Sequence, residues 1–401
     1  MPIFIVLGLQ TSKHFRYCFD LIFIMKIGIV CYPTYGGSGV VATELGKALA
    51  MRGHDVHFIT YKQPARLDFF TGNIFYHEVY VSSYPLFDFP PYETALTSRL
   101  VDVVKFEKLD LLHVHYAIPH ASAAIMAKQI LASEGIHIPV ITTLHGTDIT
   151  LVGKDPSFTP VVTYSINQSD AVTSVSDSLK QDTYNHFRTQ KHIEVIPNFI
   201  DITRFSKQDH EHFKKAIAPN GEALIVHTSN FRKVKRVDDV VKTFAKIKEK
   251  MPAKLLLVGD GPERSTIEIL CRELNLGNSI SFLGKQNPVE EILSICDLFL
   301  LPSETESFGL AALEAMACEV PVVSSNAGGI PELNVDGVTG FLCNVGDVCA
   351  MAEKSIYILE DKDRLAQFKK AALARAEEFD INNIVPKYEN FYLQVLQAAA
   401  N

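Results

Sequence analysis

Short apolar runs alternate with longer segments of helical period from Met25 onward, and this alternation predicts the architecture. The apolar runs are rich in β-branched residues and five to eight residues long, as buried parallel strands are. Seven of them cover residues 26–33, 55–61, 74–81, 111–117, 139–146, 171–176 and 193–200. Five more cover residues 223–229, 254–260, 280–284, 298–303 and 321–325. Strands that alternate with helices in this way predict an α/β chain with two doubly wound, Rossmann-like domains.

A polar stretch, SKQDHEHFKK, follows the seventh run and marks the predicted domain boundary. We expect an N-terminal domain over 25–205 and a C-terminal domain over 206–380. A last helix over about 381–401 has no partner sheet that the sequence names, and packing back on the first domain is one option. Ligands of open parallel sheets bind beyond the carboxyl ends of the strands, so two facing sheets predict a binding cleft.

Residues 1–24 contain two apolar bursts broken by Lys13, His14 and Arg16. Neither burst reaches the roughly 20 residues that span a bilayer. A signal peptide places its positive charges before the apolar run and ends at a small-residue cleavage site, and both features are missing. We therefore expect a non-functional N-terminal extension ahead of a domain that starts at Met25.

The amino-acid composition limits the classes of binding partner that we expect for this chain. Of 401 residues, 47% are hydrophobic and 21% charged, which suits a globular chain with a sizeable core. The net charge of -8 gives no general attraction to nucleic acid or anionic lipid, so we expect neither a nucleic-acid partner nor stable membrane insertion. Seven cysteines without a CxxC pair predict a reduced, cytoplasmic protein, and the sequence leaves a homodimer open.

The first candidate site is the glycine-rich turn from Tyr35 to Gly39, before a predicted helix over about 40–51. Unshielded amides at a helix N-terminus suit phosphate, which makes Gly37 and Ser38 candidate diphosphate contacts. The turn also fits a relaxed dinucleotide fingerprint, but the second strand ends in Thr60-Tyr61-Lys62, without the acid that ribose hydroxyls need. A turn that serves only the fold is the remaining alternative.

The second candidate is the segment from Glu306 to Glu314, directly after a strand. Placed at the start of a helix, these acids would be about 12 Å apart along the axis, farther than the roughly 5–9.5 Å of paired glycosidase carboxylates. The spacing instead fits an extended nucleotide sugar, with sugar hydroxyls at Glu306, ribose at Glu314 and diphosphate on the intervening amides. Those amides belong to Ser307, Phe308, Gly309 and Leu310. A capped helix with solvated acids is the alternative.

Two further candidates follow strands. Asn230, Arg232, Lys235 and their neighbours place four cations within five residues, which indicates a local anion site or a solvated basic turn. His145 and Asp148 place an imidazole and a carboxylate at the cleft mouth, unless the histidine only caps its strand.

His113 and His115 point to one face of a strand, but with only Asp110 nearby a zinc site is not expected. Asp361 and Asp363 are expected to cap a helix.

These motifs, in this order, resemble the retaining family 4 glycosyltransferases of the GT-B fold. The most specific part is EX7E, from Glu306 to Glu314, followed by EAMA, PVV and AGGIPE over 314–317, 321–323 and 327–332. The segments 26–60, 113–124 and 142–153 are similar to a subgroup that joins N-acetylglucosamine to L-malate, the first step of bacillithiol biosynthesis. Most of the wider family has arginine followed five residues later by Lys-Gly, whereas this chain has Asn230 and then Lys235-Arg236.

The resemblance implies UDP-N-acetylglucosamine as donor, L-malate as acceptor, retention of the alpha configuration, and no cofactor or catalytic metal. It implies that His145 and Glu306 contact the sugar, that Lys235, helped by Arg232, supplies phosphate charge, and that Glu314 holds the ribose. Backbone near Gly284, Lys285 and Gln286 would hold uracil. The expected acceptor residues are Tyr116, Thr142, Thr143, Arg99 and Lys154.

Three alternatives stay open at the level of sequence. A sister enzyme with a lipid, inositol phosphate or polysaccharide acceptor would share the donor half. A UDP-sugar epimerase would isomerise the donor without any acceptor. A nucleotide-sugar sensor would bind UDP without turnover.

Overall fold

The computed structural model describes residues 23–34, 36–67, 72–81, 88–208 and 210–400. Most of the N-terminal extension expected over 1–24, and Tyr35 of the glycine-rich turn, lie outside the described residues. No helix in the described ranges combines the length and the apolar character that crossing a bilayer requires.

The first half of the chain forms a seven-stranded parallel sheet in the order β3-β2-β1-β4-β5-β6-β7. Its strands match the predicted apolar runs but end earlier, because the last residues of each run turn into the loops at the sheet's carboxyl edge. They are β1 Lys26–Val30, β2 Asp55–Thr60, β3 Ile74–Glu78, β4 Leu111–His115, β5 Val140–Leu144, β6 Ala171–Ser174 and β7 Ile193–Val195. The helices between them are α1 Gly37–Met51, α2 Tyr92–Glu107, α3 Ser122–Ser133, α4 Thr159–Gln168 and α5 Asp177–His186.

The second half forms a six-stranded parallel sheet in the order β10-β9-β8-β11-β12-β13. Its strands are β8 Ala223–Ser229, β9 Ala253–Gly259, β10 Ile280–Gly284, β11 Leu298–Leu301, β12 Val322–Ser325 and β13 Gly340–Cys343. The sequence pattern missed β13, whose four residues contain no β-branched side chain. The helices are α6 Glu211–Ile217, α7 Val237–Lys248, α8 Arg264–Glu273, α9 Glu290–Ser294, α10 Leu310–Ala317, α11 Val348–Leu359, α12 Lys362–Glu377 and α13 Ile381–Ala400.

The last helix, α13, packs on the first sheet although it follows the second in sequence. Its apolar face, including Tyr388 and Tyr392, shares a core with β1 and α1. The hydroxyl of Tyr392 lies 2.8 Å from Nδ1 of His113 on β4, so the helix is held by packing and by a buried polar contact.

The chain therefore crosses between the two sheets twice, and the two crossings run side by side. The amide of Ile200 donates to the carbonyl of Phe379 at 3.0 Å, and the amide of Ile381 donates to the carbonyl of Ile200 at 2.8 Å. The fold class matches the expectation of two doubly wound parallel sheets, and the loops at their carboxyl edges meet in the cleft described next.

Candidate active site

The segment from Glu306 to Glu314 is only partly helical, which corrects the sequence-based geometry. Helix α10 begins at Leu310, so Glu306 lies on the loop after β11 and Glu314 alone lies on the helix. Gly309 makes the turn into the helix with φ +94, a left-handed backbone that glycine adopts without strain. The 12 Å separation expected from a continuous helix therefore does not apply.

The basic turn after β8 contacts this acidic loop directly. Nζ of Lys235 forms an ion pair with Oε1 of Glu306, and the hydroxyl of Ser303 donates to the same oxygen at 2.9 Å. Both side chains are only partly exposed, so the pair is partly shielded from water. The structure thus brings together the lysine and the glutamate that the sequence assigned to phosphate and sugar.

Arg236, which stands where the wider family has glycine, turns away from this pair. Its backbone is left-handed, with φ +48, the conformation that glycine adopts most easily. Its guanidinium bonds to Asp239 within the second domain at 2.6 Å. Asn230 and Arg232 are exposed on the same turn.

On the first domain, His145 follows β5 and sits over a second histidine. Nε2 of His145 lies 2.8 Å from Nδ1 of His115, at the end of β4. Burial lowers the pKa of His145 to about 3 and holds the pKa of His115 well below its usual range, so both rings are neutral at pH 7. Sequence reasoning named His145 but gave His115 no part in the site.

Asp148 anchors the loop that carries His145. Its carboxylate accepts the backbone N–H groups of Ala117 at 2.9 Å, Gly146 at 3.0 Å and His145 at 3.3 Å. Burial raises its pKa to about 6, against the opposing effect of these bonds. Asp148 therefore holds the backbone in place, and its oxygens face the protein.

The glycine-rich turn of the first domain faces the N-terminus of α10, in the second domain, across the cleft. Helix α1 starts at Gly37, and a Cβ built on Gly37 would lie 3.6 Å from Leu310. The hydroxyls of Ser38 and Tyr116 lie 2.8 Å apart. Burial raises the pKa of Tyr116, and the positive charge of Arg232, on the opposite domain, opposes that shift. Ser38 and Tyr116 therefore lie together on the first domain, and the charge of Arg232 acts on Tyr116 from the second domain.

Two further contacts join the domains through Ser176 and Glu332, to which sequence reasoning gave no role in the site. The hydroxyl of Ser176 donates to the carbonyl of Ser307 at 2.6 Å. The carboxylate of Glu332 accepts the N–H groups of Asp177 at 2.9 Å and Ser178 at 2.8 Å, at the N-terminus of α5. The AGGIPE motif, in which Glu332 is the last residue, was the available signal.

Glu314 lies in a narrow cavity between the domains, beside two arginines that the sequence did not single out. The lining includes Glu44, Arg66, Arg204 and Leu310. Burial raises the pKa of Glu314 to about 7, although the charges of Arg66 and Arg204 oppose this shift. Arg204 is itself held by Glu290, with Nε 2.9 Å from Oε1.

Three of the expected acceptor residues do not reach the cleft. Thr142 and Thr143 are fully buried within β5, and their hydroxyls lie 2.7 Å from Ser169 Oγ and 2.6 Å from Thr173 Oγ1. Strand interiors are covered on both faces here, so these hydroxyls are satisfied by protein. Arg99 lies on α2, beside His77 at the outer edge of the sheet.

The remaining predicted residues lie at the surface or in the site. Lys154 is exposed on a short turn beyond the His145 loop. Lys285 and Gln286 are exposed after β10, and Gly284 has φ +65 at the strand's end. Phe308 is buried against Phe379, with ring centroids 5.4 Å apart, so only its backbone is available to a ligand. Asp361 caps α12 as expected, accepting the N–H of Arg364 at 2.8 Å.

Comparison with known proteins agrees with this architecture. Residues 35–204 match the family model "Glycosyltransferase Family 4", and residues 208–375 match "Glycosyl transferases group 1". The chain is 49% identical over 379 residues to N-acetyl-alpha-D-glucosaminyl L-malate synthase of Bacillus anthracis, covering 94% of this chain and 99% of that protein. An uncharacterized glycosyltransferase of Methanocaldococcus jannaschii is 29% identical over 79% of this chain and 84% of its own.

Solved structures share the fold at low identity. HepE of Anabaena, in complex with UDP and glucose, superimposes with a TM-score of 0.78 at 21% identity, covering 92% of this chain and 99% of that one. Sucrose-phosphate synthase of Thermosynechococcus elongatus gives 0.77 at 21% identity, over 93% and 100%. The two facing sheets have the GT-B arrangement, and with the matches over both halves they establish that the chain belongs to the family 4 glycosyltransferases.

Proposed function

We propose that this chain transfers N-acetylglucosamine from UDP-N-acetylglucosamine to the hydroxyl of L-malate, with retention of the alpha configuration. The transferred sugar and the acceptor are those in the name of the Bacillus anthracis relative, which specifies a glucosaminyl malate product and matches nearly its full length. UDP as the nucleotide follows the resemblance of segments 26–60, 113–124 and 142–153 to the malate-transferring subgroup. The first domain binds the acceptor and the second domain binds the nucleotide sugar.

The observation that supports this proposal best is the Lys235–Glu306 ion pair beside the N-terminus of α10. Departure of UDP places negative charge on a phosphate oxygen, and an ammonium group with helix-terminal amides offsets that charge. Glu306 then exchanges its partner, releasing Lys235 to phosphate and accepting a sugar hydroxyl. We propose that these groups support the reaction without a metal ion.

The other donor contacts follow from position. His145 contacts a sugar hydroxyl through its partly accessible ring, and Glu314 accepts the ribose hydroxyls. The amides of Ser307 to Leu310, with Gly37 and Ser38 opposite, border the diphosphate. Gly284, Lys285 and Gln286 border the uracil, and Asn230 completes the turn beside Lys235.

Malate carries two carboxylates, so its site needs cations and hydrogen-bond donors. We propose Ser38, Tyr116 and Arg232 for this role, because the Ser38 and Tyr116 hydroxyls contact each other on the first domain and the positive charge of Arg232 acts on Tyr116 from the second. Lys154 remains a second candidate cation. Within the described residues, Glu306 is paired with Lys235 and the Asp148 carboxylate accepts backbone N–H groups. We therefore propose front-face attack, in which the leaving phosphate oxygen takes the proton of malate's hydroxyl.

UDP release tests the proposal. The purified chain is incubated with UDP-N-acetylglucosamine and separately with malate, an inositol phosphate, a lipid or an oligosaccharide acceptor, with and without EDTA. Malate should stimulate UDP release, EDTA should leave the rate unchanged, and NMR should show an alpha-linked product. Stimulation by another acceptor only, or donor isomerisation without acceptor, would reject malate transfer in favour of the sister enzyme or the epimerase.

A further inference from the structure

A cluster of three potential metal ligands lies at the outer edge of the first sheet, away from the cleft. His57 is on β2, His77 is on the edge strand β3, and Glu107 is the last residue of α2. One ligand atom from each of the three lies within 4.8 Å of the others. Nδ1 of His57 and Nε2 of His77 are 2.9 Å apart, and the two rings are nearly parallel.

The His57 imidazole is held in place by its surroundings, because its ring stacks on that of Phe75 as well as on that of His77, with centroids 4.5 Å and 5.2 Å away. The other ring nitrogen of His57 is buried and has no hydrogen-bond partner within the described residues, so its Nδ1 contact is the polar contact that orients the ring.

The charged groups around the cluster indicate which metal ion it would bind. Glu107 supplies one negative charge, and Asp102 lines the same cavity. Nζ of Lys26 donates to the backbone carbonyl of Glu107 at 3.2 Å, and Arg99 lines the same cavity. With one carboxylate among its three ligands, the site lacks the several anionic oxygens on which calcium and magnesium depend. It favours an ion that bonds strongly to imidazole nitrogen, and two histidines with one carboxylate form a typical zinc ligand set.

We propose that His57, His77 and Glu107 form a Zn²⁺ site that joins the edge strand β3 and the end of α2 to β2. The site is separate from the transferase cleft: β2 is separated from β4, which ends at His115, by β1. The ion would bridge three elements at the margin of the sheet, with its fourth coordination position left to water.

Zinc binding to the EDTA-treated full chain tests this proposal, by calorimetry with Zn²⁺ and by the visible absorption of added Co²⁺. The wild-type chain should bind one equivalent, and Zn²⁺ should raise its melting temperature. H77Q and E107Q should each weaken binding by about tenfold or more. The matched control is H192Q, which alters an exposed histidine 3.1 Å from Glu194, and it should bind Zn²⁺ as the wild type does.

Malate-dependent UDP release is measured on the same proteins and should be unchanged in H77Q and E107Q, which separates loss of the metal from loss of the fold. Failure of the wild-type chain to bind Zn²⁺ would overturn the proposal. Equal binding by all four proteins would overturn it as well, since the ion would then be held elsewhere.

Discussion

Nδ1 of His115 and Nε2 of His145 lie 2.8 Å apart where β4 and β5 end. Both rings are neutral at pH 7 because burial lowers their pKa values, so one must donate a proton and the other must accept it. The contact therefore orients His145, a residue that is 9% exposed, while His115 is fully buried. We assign His115 the role of a positioning residue.

His115→Leu should lower kcat by about 10- to 100-fold, because the His145 ring, which we propose contacts the sugar, would lose its support and move from its productive position. UDP affinity should stay within about twofold, since His145 is not proposed to hold the nucleotide. His115→Asn retains a polar group near the position of Nδ1 and should recover part of the rate. Steady-state kinetics and UDP titration measure both effects.

His54→Leu is the matched control, since His54 is a buried histidine bonded to Met25 and Glu389 on the opposite edge of the sheet. It should lower stability without a selective loss of kcat. A His115→Leu enzyme with wild-type kcat would contradict the positioning role.

Replacing each member of the Lys235–Glu306 ion pair should impair a different step, UDP binding for the lysine and turnover for the glutamate. Lys235→Ala should weaken UDP binding by about 10- to 100-fold, the effect of losing a charged hydrogen bond of about 1.5–3 kcal/mol. Glu306→Ala should keep UDP affinity within several-fold and lose most turnover, because its proposed contact is with the sugar. Calorimetric titration with UDP and single-turnover rates separate the two.

Glu304→Ala, at an exposed acid two residues earlier, controls for loss of loop charge and should behave as the wild type does. Loss of UDP binding in Glu306→Ala as severe as its loss of turnover would refute the role given to Glu306.

The contact between Glu332 and α5 can be tested for its part in holding the two domains together. Its carboxylate bonds to two N–H groups at the N-terminus of α5 in the other domain, where a negative charge also interacts favourably with the helix dipole. Glu332→Ala should cost the closed arrangement about 1–2 kcal/mol, increase the radius of gyration in small-angle scattering, and raise KM for the donor about fivefold.

Asp361→Ala is the comparison for that variant, because Asp361 caps α12 within the second domain. It should lower the melting temperature slightly through loss of the helix cap and leave the radius of gyration unchanged. An unchanged radius in Glu332→Ala as well would mean that these bonds do not hold the domains together.

Glu314 predicts a dependence of stability on pH. Its pKa of about 7 in the folded chain exceeds its ordinary value of 4.5, so the folded state keeps a proton that the unfolded state releases between these pH values. The contribution of Glu314 to the free energy of unfolding is therefore lost as the pH rises from its ordinary pKa to its folded pKa. Glu314→Gln should gain about 1–3 kcal/mol relative to wild type between pH 5 and pH 8. Melting curves of both proteins at each pH, with Glu304→Gln as background, measure this; parallel curves would exclude the shift.

The sequence by itself determined the succession of strands and helices and the motifs at the loops that end them. Apolar runs such as 223–229 are predictable because burial between two helical layers requires a locally continuous apolar sequence. The short strand Gly340–Cys343 was missed because its identity depends on pairing with β12. The start of α10 was misplaced because Gly309 enters the helix through a left-handed turn.

Tertiary structure alone decided which side chains meet. Thr142 and Thr143 look like strand-end hydroxyls in sequence, yet both are fully buried and their hydroxyls contact Ser169 and Thr173. The contacts of His115 with His145 and of Glu332 with α5 join residues 30 and about 155 positions apart. Periodicity encodes which face of an element is buried, but the distance between two such residues depends on how sheets and domains pack, and that information is distributed over the whole chain.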